Sequence, residues 1–178
     1  MDIERIKEIR LKQDGLSNTL GMEFLSTPDP DTCQARMKVD SRNRQVFGFL
    51  SGGATLALAE NLAGVGSMTL CPNNICVGIN VSGSHVKAVR EGDTVTATAR
   101  ILHKGKTLHQ WHIEICNGAG ELISSVEITN FVMKGKDVGN YLKKKRNYII
   151  SSDIRRKLGL TEHDTNLGIW LRSRLAGH

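Results

Sequence analysis

No stretch of this sequence reaches the roughly 18 consecutive apolar residues that a membrane-spanning helix needs, so no span is expected. The amino terminus, Met1-Asp2-Ile3-Glu4-Arg5-Ile6-Lys7, is charged and helical in pattern and lacks the apolar segment of a secretory signal. A cytoplasmic protein is therefore the expectation. Cysteine is sparse as well: Cys33, Cys71, Cys76 and Cys116 stand singly, and no Cys or His pair has a familiar zinc spacing. Reduced structural thiols are expected, rather than disulfides or a metal. Excess charge is missing from most of the chain. The net charge is +6, yet residues 1–133 hold 13 Lys and Arg against 14 Asp and Glu, whereas residues 134–178 hold 11 against 4. Nucleic acid is not expected as a partner of so neutral a body, and any polyanion argument rests on the tail alone. At 178 residues the chain suits one domain with its own core, or a smaller domain plus an extension.

Charge is scarcest between Gln45 and His85, where Glu60 is the single residue with a full formal charge. It sits among Leu, Ala and Val, and an unpaired buried carboxylate costs several kcal/mol or shifts its pKa until it is neutral. Just upstream, Ser51-Gly52-Gly53 reads as an N-cap and a close-approach backbone before a run of strong helix formers. Free N–H groups and the positive end of the helix dipole at such a start can hold a developing oxyanion, and glycine lets a carbonyl come close. Eight positions later, Glu60 is a base or nucleophile candidate for a substrate running along the helix face. Alternatively the glycines serve sheet contact and Glu60 is salt-bridged. Spacing alone leaves both readings open.

The rest of the chain supplies the frame. Ile3, Ile6, Ile9 and Leu11 among charges predict an amphipathic helix over about 2–13, ended by Asp14-Gly15. Strand-like pieces over 20–26 and 32–39 follow, split by the turn Thr27-Pro28-Asp29-Pro30-Asp31. The glycine-led helix should run from about Gly52 to Leu70 and stop at Pro72-Asn73-Asn74. Four β segments come next, over 75–89, 93–103, 107–116 and 121–133, expected as a meander. A sheet that size with one apolar helix must curl around it.

That order, with Leu50-Ser51-Gly52-Gly53-Ala54-Thr55-Leu56-Ala57-Leu58-Ala59-Glu60 and Asn80-Val81-Ser82-Gly83-Ser84-His85-Val86-Lys87-Ala88-Val89-Arg90-Glu91-Gly92, resembles the hotdog-fold acyl-CoA thioesterases. The closest look is to the branch holding phenylacetate-pathway, Glu-type 4-hydroxybenzoyl-CoA and 1,4-dihydroxy-2-naphthoyl-CoA thioesterases, over residues 15–133 or so. The resemblance implies an α+β hotdog fold, a curved antiparallel sheet around one long helix. It implies a thioesterase working without a metal or cofactor on an aromatic or bulky acyl-CoA. Glu60 matches the catalytic carboxylate, Gly52 the amide that polarises the thioester oxygen, and Gln45 a loop residue that orients the acyl carbonyl or water. Ser51 stands where the branch often has His, and Gly64 where it often has Ser or Thr; Ser51 is kept in the expected catalytic set as a variant. For the CoA moiety the resemblance points to His85, Lys87 and Ala88 at a strand end and to the turn Lys104-Gly105-Lys106-Thr107. It further implies a homodimer or homotetramer. The other readings weighed are a non-catalytic acyl-CoA-binding or regulatory module, and a hydratase or dehydratase on the same fold.

Residues 136–178 fall beyond the resemblance. Lys143-Lys144-Lys145-Arg146 is a cation run, and the remainder mixes apolar residues with charges. The expected organisation is a thioesterase-like domain over 1–135 and a basic, weakly ordered or short-helical extension over 136–178.

Overall fold

The computed structural model describes residues 1–4, 6 and 15–134. The expected extension lies wholly outside the described residues, and so does most of the expected helix over 2–13. Within that N-terminal segment Ile3 and Ile6 are buried, as its apolar stripe requires.

Six strands form one antiparallel sheet: β1 (Met22–Leu25), β2 (Thr32–Lys38), β3 (Ile75–His85), β4 (Thr94–Lys104), β5 (Leu108–Cys116) and β6 (Leu122–Met133). A short helix α1 (Leu16–Leu20) precedes them, and the long helix α2 (Gly52–Leu70) lies between β2 and β3. The sequence reading has no α1, because a single turn carries no period; Gly21, at φ 71, is its only local marker.

The order in the sheet is β1-β2-β4-β5-β6-β3. This corrects the expected meander of four consecutive strands. Of those four, β4, β5 and β6 run as neighbours and β3 does not join β4. Strand β2 occupies the side of β4, pairing Ala35 with Ala97, so β3 takes the far edge and pairs with β6 through Val81 and Ile128.

The sheet alternates as read from sequence, and its inward residues bury α2. Val95, Ala97 and Ala99 of β4, and Trp111, Ile113 and Ile115 of β5, are fully buried beside Leu58, Ala59, Leu62 and Ala63 of the helix. Small helix residues set the approach distance. A Cβ on Gly66 would stand 2.6 Å from Trp111 Cη2 and 3.1 Å from Cys33 Sγ. Gly66→Ala should therefore overpack the core, and after the helix-propensity gain a net loss of roughly 1–2 kcal/mol is expected. Thermal unfolding should show a Tm lowered by roughly 2–8 °C; an unchanged or higher Tm would mean that the indole yields freely.

Toward the end of α2 a buried polar knot joins helix and sheet. Trp111 Nε1–H donates to Ser67 Oγ at 2.9 Å and Asn130 Nδ2–H at 3.0 Å. These two donors fill the acceptor capacity of the hydroxyl, so its own proton goes to His109 Nδ1, 3.0 Å away. The ring is thus the neutral Nε2–H tautomer. Burial, aided by the nearby Lys104 charge, holds the His109 pKa below its ordinary value of 6.5. The unfolded chain then binds the proton first. Stability from this ring is complete above the unfolded pKa and falls as the pH drops below about 6.5. Melting temperature should decline over that acidic range, and less steeply in His109→Gln; equal slopes would exclude this ring as the cause.

Candidate active site

The start of α2 is prepared as an anion-facing helix end. Ser51 occupies the N-cap with extended backbone (φ −69°, ψ 133°), but its side chain makes no cap hydrogen bond. Its carbonyl instead accepts from Thr55, from both the backbone N–H and Oγ1–H at 3.0 Å. The amides of the Gly52 turn are therefore left without a side-chain acceptor.

Before the helix, Gln45 to Phe49 fold into a tight turn. Gln45 N–H donates to the Phe49 carbonyl at 2.7 Å, and Gly48, at φ 80, permits the reversal. Leu50 N–H reaches the Val89 carbonyl at 2.8 Å, and Arg90 lies 5.5 Å above the Phe49 ring. These contacts hold the turn against the end of β3 and the segment after it. There His85 Nδ1 pairs with the buried Ser124 hydroxyl at 2.8 Å. A Cβ on Gly52 would stand 2.8 Å from His85 Nε2, so the imidazole rests directly on the Gly52 backbone.

The outcome is a cleft of about 340 Å³ walled by Gln45, Gly52, Thr55, His85, Lys87 and Ala88. Five of the residues singled out from sequence meet here. Lys87 also pairs with Glu121 at 2.5 Å, and this holds the Glu121 carboxyl below its usual range. Both partners are half exposed, so the pair is weak enough for a phosphate to compete for the ammonium.

Other expected residues lie elsewhere. Glu60 is about 12 Å from Gly52 along the helix axis at 1.5 Å per residue, and it lines a separate hollow of about 290 Å³ with Gly64, Met68, Cys76 and Gly78. The carboxylate packs on the Gly78 backbone, where any Cβ would collide with Oε1. It is half-buried, and among the described residues it has neither an ion-pair nor a hydrogen-bond partner. The salt-bridged alternative thus finds no partner there. Asn61, next to Glu60 on the helix, donates its side-chain amide to the Ala57 carbonyl at 2.8 Å. Ser51 faces a third hollow with Gly53, Ala54 and Arg44, away from Gln45 and His85. The Lys104-to-Thr107 turn is remote too. Thr107 bonds to Val132 late in β6, whereas His85 pairs with Ser124 near its start. Eight strand residues, about 26 Å, separate these points.

Three positions escaped the sequence reading: Ser124, Thr55 and Gly78. Ser124 did leave a trace, as a polar residue at a covered position of a strand. Thr55 and Gly78 left none, because their roles come from what lies across from them.

The comparisons with known proteins point one way. A family model described as the thioesterase superfamily matches residues 47–124. A putative esterase of Pseudomonas aeruginosa, PA1618, is 37% identical over 123 residues, which cover 67% of this chain and 81% of that one. The Escherichia coli 1,4-dihydroxy-2-naphthoyl-CoA hydrolase is 38% identical over 105 residues, covering 58% and 76%. Among solved structures, a mutant of the Pseudomonas aeruginosa thioesterase PA1618 superposes with a TM-score of 0.67 at 34% identity, over 75% of this chain and 94% of the other. With a six-stranded antiparallel sheet wrapped around one long helix in the hotdog manner, and with these relatives, this chain belongs to the thioesterase superfamily.

Proposed function

We propose that the protein hydrolyses an acyl-CoA thioester to the free acid and CoA, with an aromatic or otherwise bulky acyl group. The observation that carries this reading is the cleft at the uncapped start of α2, where Gln45, Gly52, His85 and Lys87 converge on a space sized for a ligand. The Gly52 amide and the helix dipole stabilise the oxyanion of the tetrahedral intermediate. Gln45 orients the carbonyl or water. Glu60 either takes the proton from an attacking water or attacks the carbonyl carbon itself; in both cases the CoA sulfur leaves and is protonated. Lys87 and the backbone at Ala88 favour the CoA phosphates.

Glu60 and Gly52 lie in different hollows of one chain, so this mechanism needs a second copy. Strand β3 is the sheet edge opposite β1, with Val77 and Ile79 exposed. Antiparallel pairing of two such edges about a two-fold axis between Val81 and Ser82 would set Gly78 of the partner subunit opposite His85. Because Glu60 packs on Gly78, that register brings the carboxylate of each chain toward the cleft of the other. We therefore read the protein as a homodimer or a higher homo-oligomer.

A substrate panel tests the reading. CoA release, followed with a thiol-reactive dye, should favour aromatic thioesters, 1,4-dihydroxy-2-naphthoyl-CoA among them, over acetyl-CoA by at least about tenfold in kcat/KM. Tight binding without release across the panel would make the protein a binding module instead.

A further inference from the structure

Cys71 and Cys76 stand singly in the sequence, but the fold brings their sulfurs to 3.2 Å, in direct contact. Cys71 is the C-cap of α2 and Cys76 is the second residue of β3, so the pair bridges the end of the helix and the start of the edge strand. Both are partly exposed. Cys33 provides the contrast, since it is fully buried and burial pushes its thiol up to about 12. Cys76 also forms part of the wall of the Glu60 hollow, two residues before the Gly78 backbone on which that carboxylate packs.

We propose that Cys71 and Cys76 are a reversible thiol–disulfide site whose closure ties the start of β3 to the end of α2 and stiffens the wall of the Glu60 hollow. The oxidant is a low-molecular-weight disulfide such as glutathione disulfide. One cysteine thiolate attacks a sulfur of glutathione disulfide, releasing a glutathione thiolate and forming a mixed disulfide. The second cysteine attacks the protein sulfur of that bond and expels the other glutathione. Two protein thiols are oxidised, one glutathione disulfide is reduced to two thiols, and the two protons end on glutathione.

A soft metal is the competing occupant, because a nitrogen of His109 and the two sulfurs all lie within 4.8 Å of one another. Two observations favour the disulfide. The sulfurs are closer than the roughly 3.8 Å that two thiolates keep around a tetrahedral zinc at 2.3 Å. The His109 ring is also committed, with Nδ1 accepting from Ser67 and the proton on Nε2. Ligation through Nε2 would send that proton to Nδ1, where the Ser67 oxygen already receives two donors.

The test uses the intact protein and its Cys71→Ser and Cys76→Ser variants in glutathione redox buffers, read by mass spectrometry. Wild type should lose the mass of two hydrogen atoms, regain it with dithiothreitol, and yield a Cys71–Cys76 cross-linked peptide. Each variant should instead carry one glutathione on its remaining partner cysteine. On oxidation, amide exchange over residues 75–78 should slow by at least about tenfold. Wild type that stays a dithiol, or that takes up two glutathiones, overturns the site. Zinc that protects both thiols from alkylation in wild type but not in His109→Ala makes it a metal site instead. A disulfide that leaves exchange unchanged overturns the coupling to the hollow. No arm reads hydrolysis, so failure here is separable from failure of the thioesterase reading.

Discussion

Glu60→Gln should lower kcat by at least about 100-fold and leave the melting temperature nearly unchanged. The amide keeps the volume and planarity of the carboxylate but can neither accept the water proton nor attack a carbonyl. Stability should be spared because Glu60 has no ion-pair or hydrogen-bond partner among the described residues, so no interaction there is lost. A structural carboxylate would give the reverse pattern, a lower Tm with turnover retained. Circular dichroism melts and steady-state CoA release on the same preparation separate the two, and near wild-type turnover in Glu60→Gln would remove the mechanism.

Mixing two inactive variants should restore hydrolysis. Gly52→Val cannot be accommodated as it stands, since even a Cβ there meets His85 Nε2 at 2.8 Å, so the ring must leave the cleft wall or the amide must move. Alone it should be as inactive as Glu60→Gln. When subunits exchange at equal amounts, about half of the dimers are mixed, and each mixed dimer holds one site with Gly52 intact on one chain and Glu60 on the other. Activity should recover to about one quarter of the wild-type value, far above either parent. If a single chain supplied both groups, exchange would recover nothing. The experiment thus tests the two-chain site without a structure of the dimer.

Much of this fold was legible in the chain because the signals were local. Helix α2 runs over Gly52–Leu70 as expected, since Ser51-Gly52-Gly53 and Pro72 punctuate it at both ends. Strands β4, β5 and β6 fall within a residue or so of their expected limits, because Val95, Ala97 and Ala99, or Trp111, Ile113 and Ile115, alternate cleanly. What escaped was set by distance in sequence. The place of β3 depends on β2 having taken the flank of β4, which no window around Ile75 can show. Likewise the contacts that fix the His85 ring, with Gly52 and Ser124, come from 33 and 39 positions away and leave no local trace around the strand end. Glu60 stood out because it was the one charge in an apolar stretch, and among the described residues it has no ion-pair or hydrogen-bond partner.

The Ser67 knot bears on how this chain can drift over generations. One hydroxyl accepts hydrogen bonds from Trp111 and Asn130 and donates one to His109, joining α2 to two neighbouring strands. Loss of the serine alone would strand buried donors at about 1–3 kcal/mol each, and an apolar residue at any one of the other positions would leave the remainder mismatched. A lineage should therefore keep all four residues or exchange them as a set for apolar ones that fill the same space. Columns 67, 109, 111 and 130 should move together, while surface positions of the same strands, such as Gln110 and Thr129, vary independently.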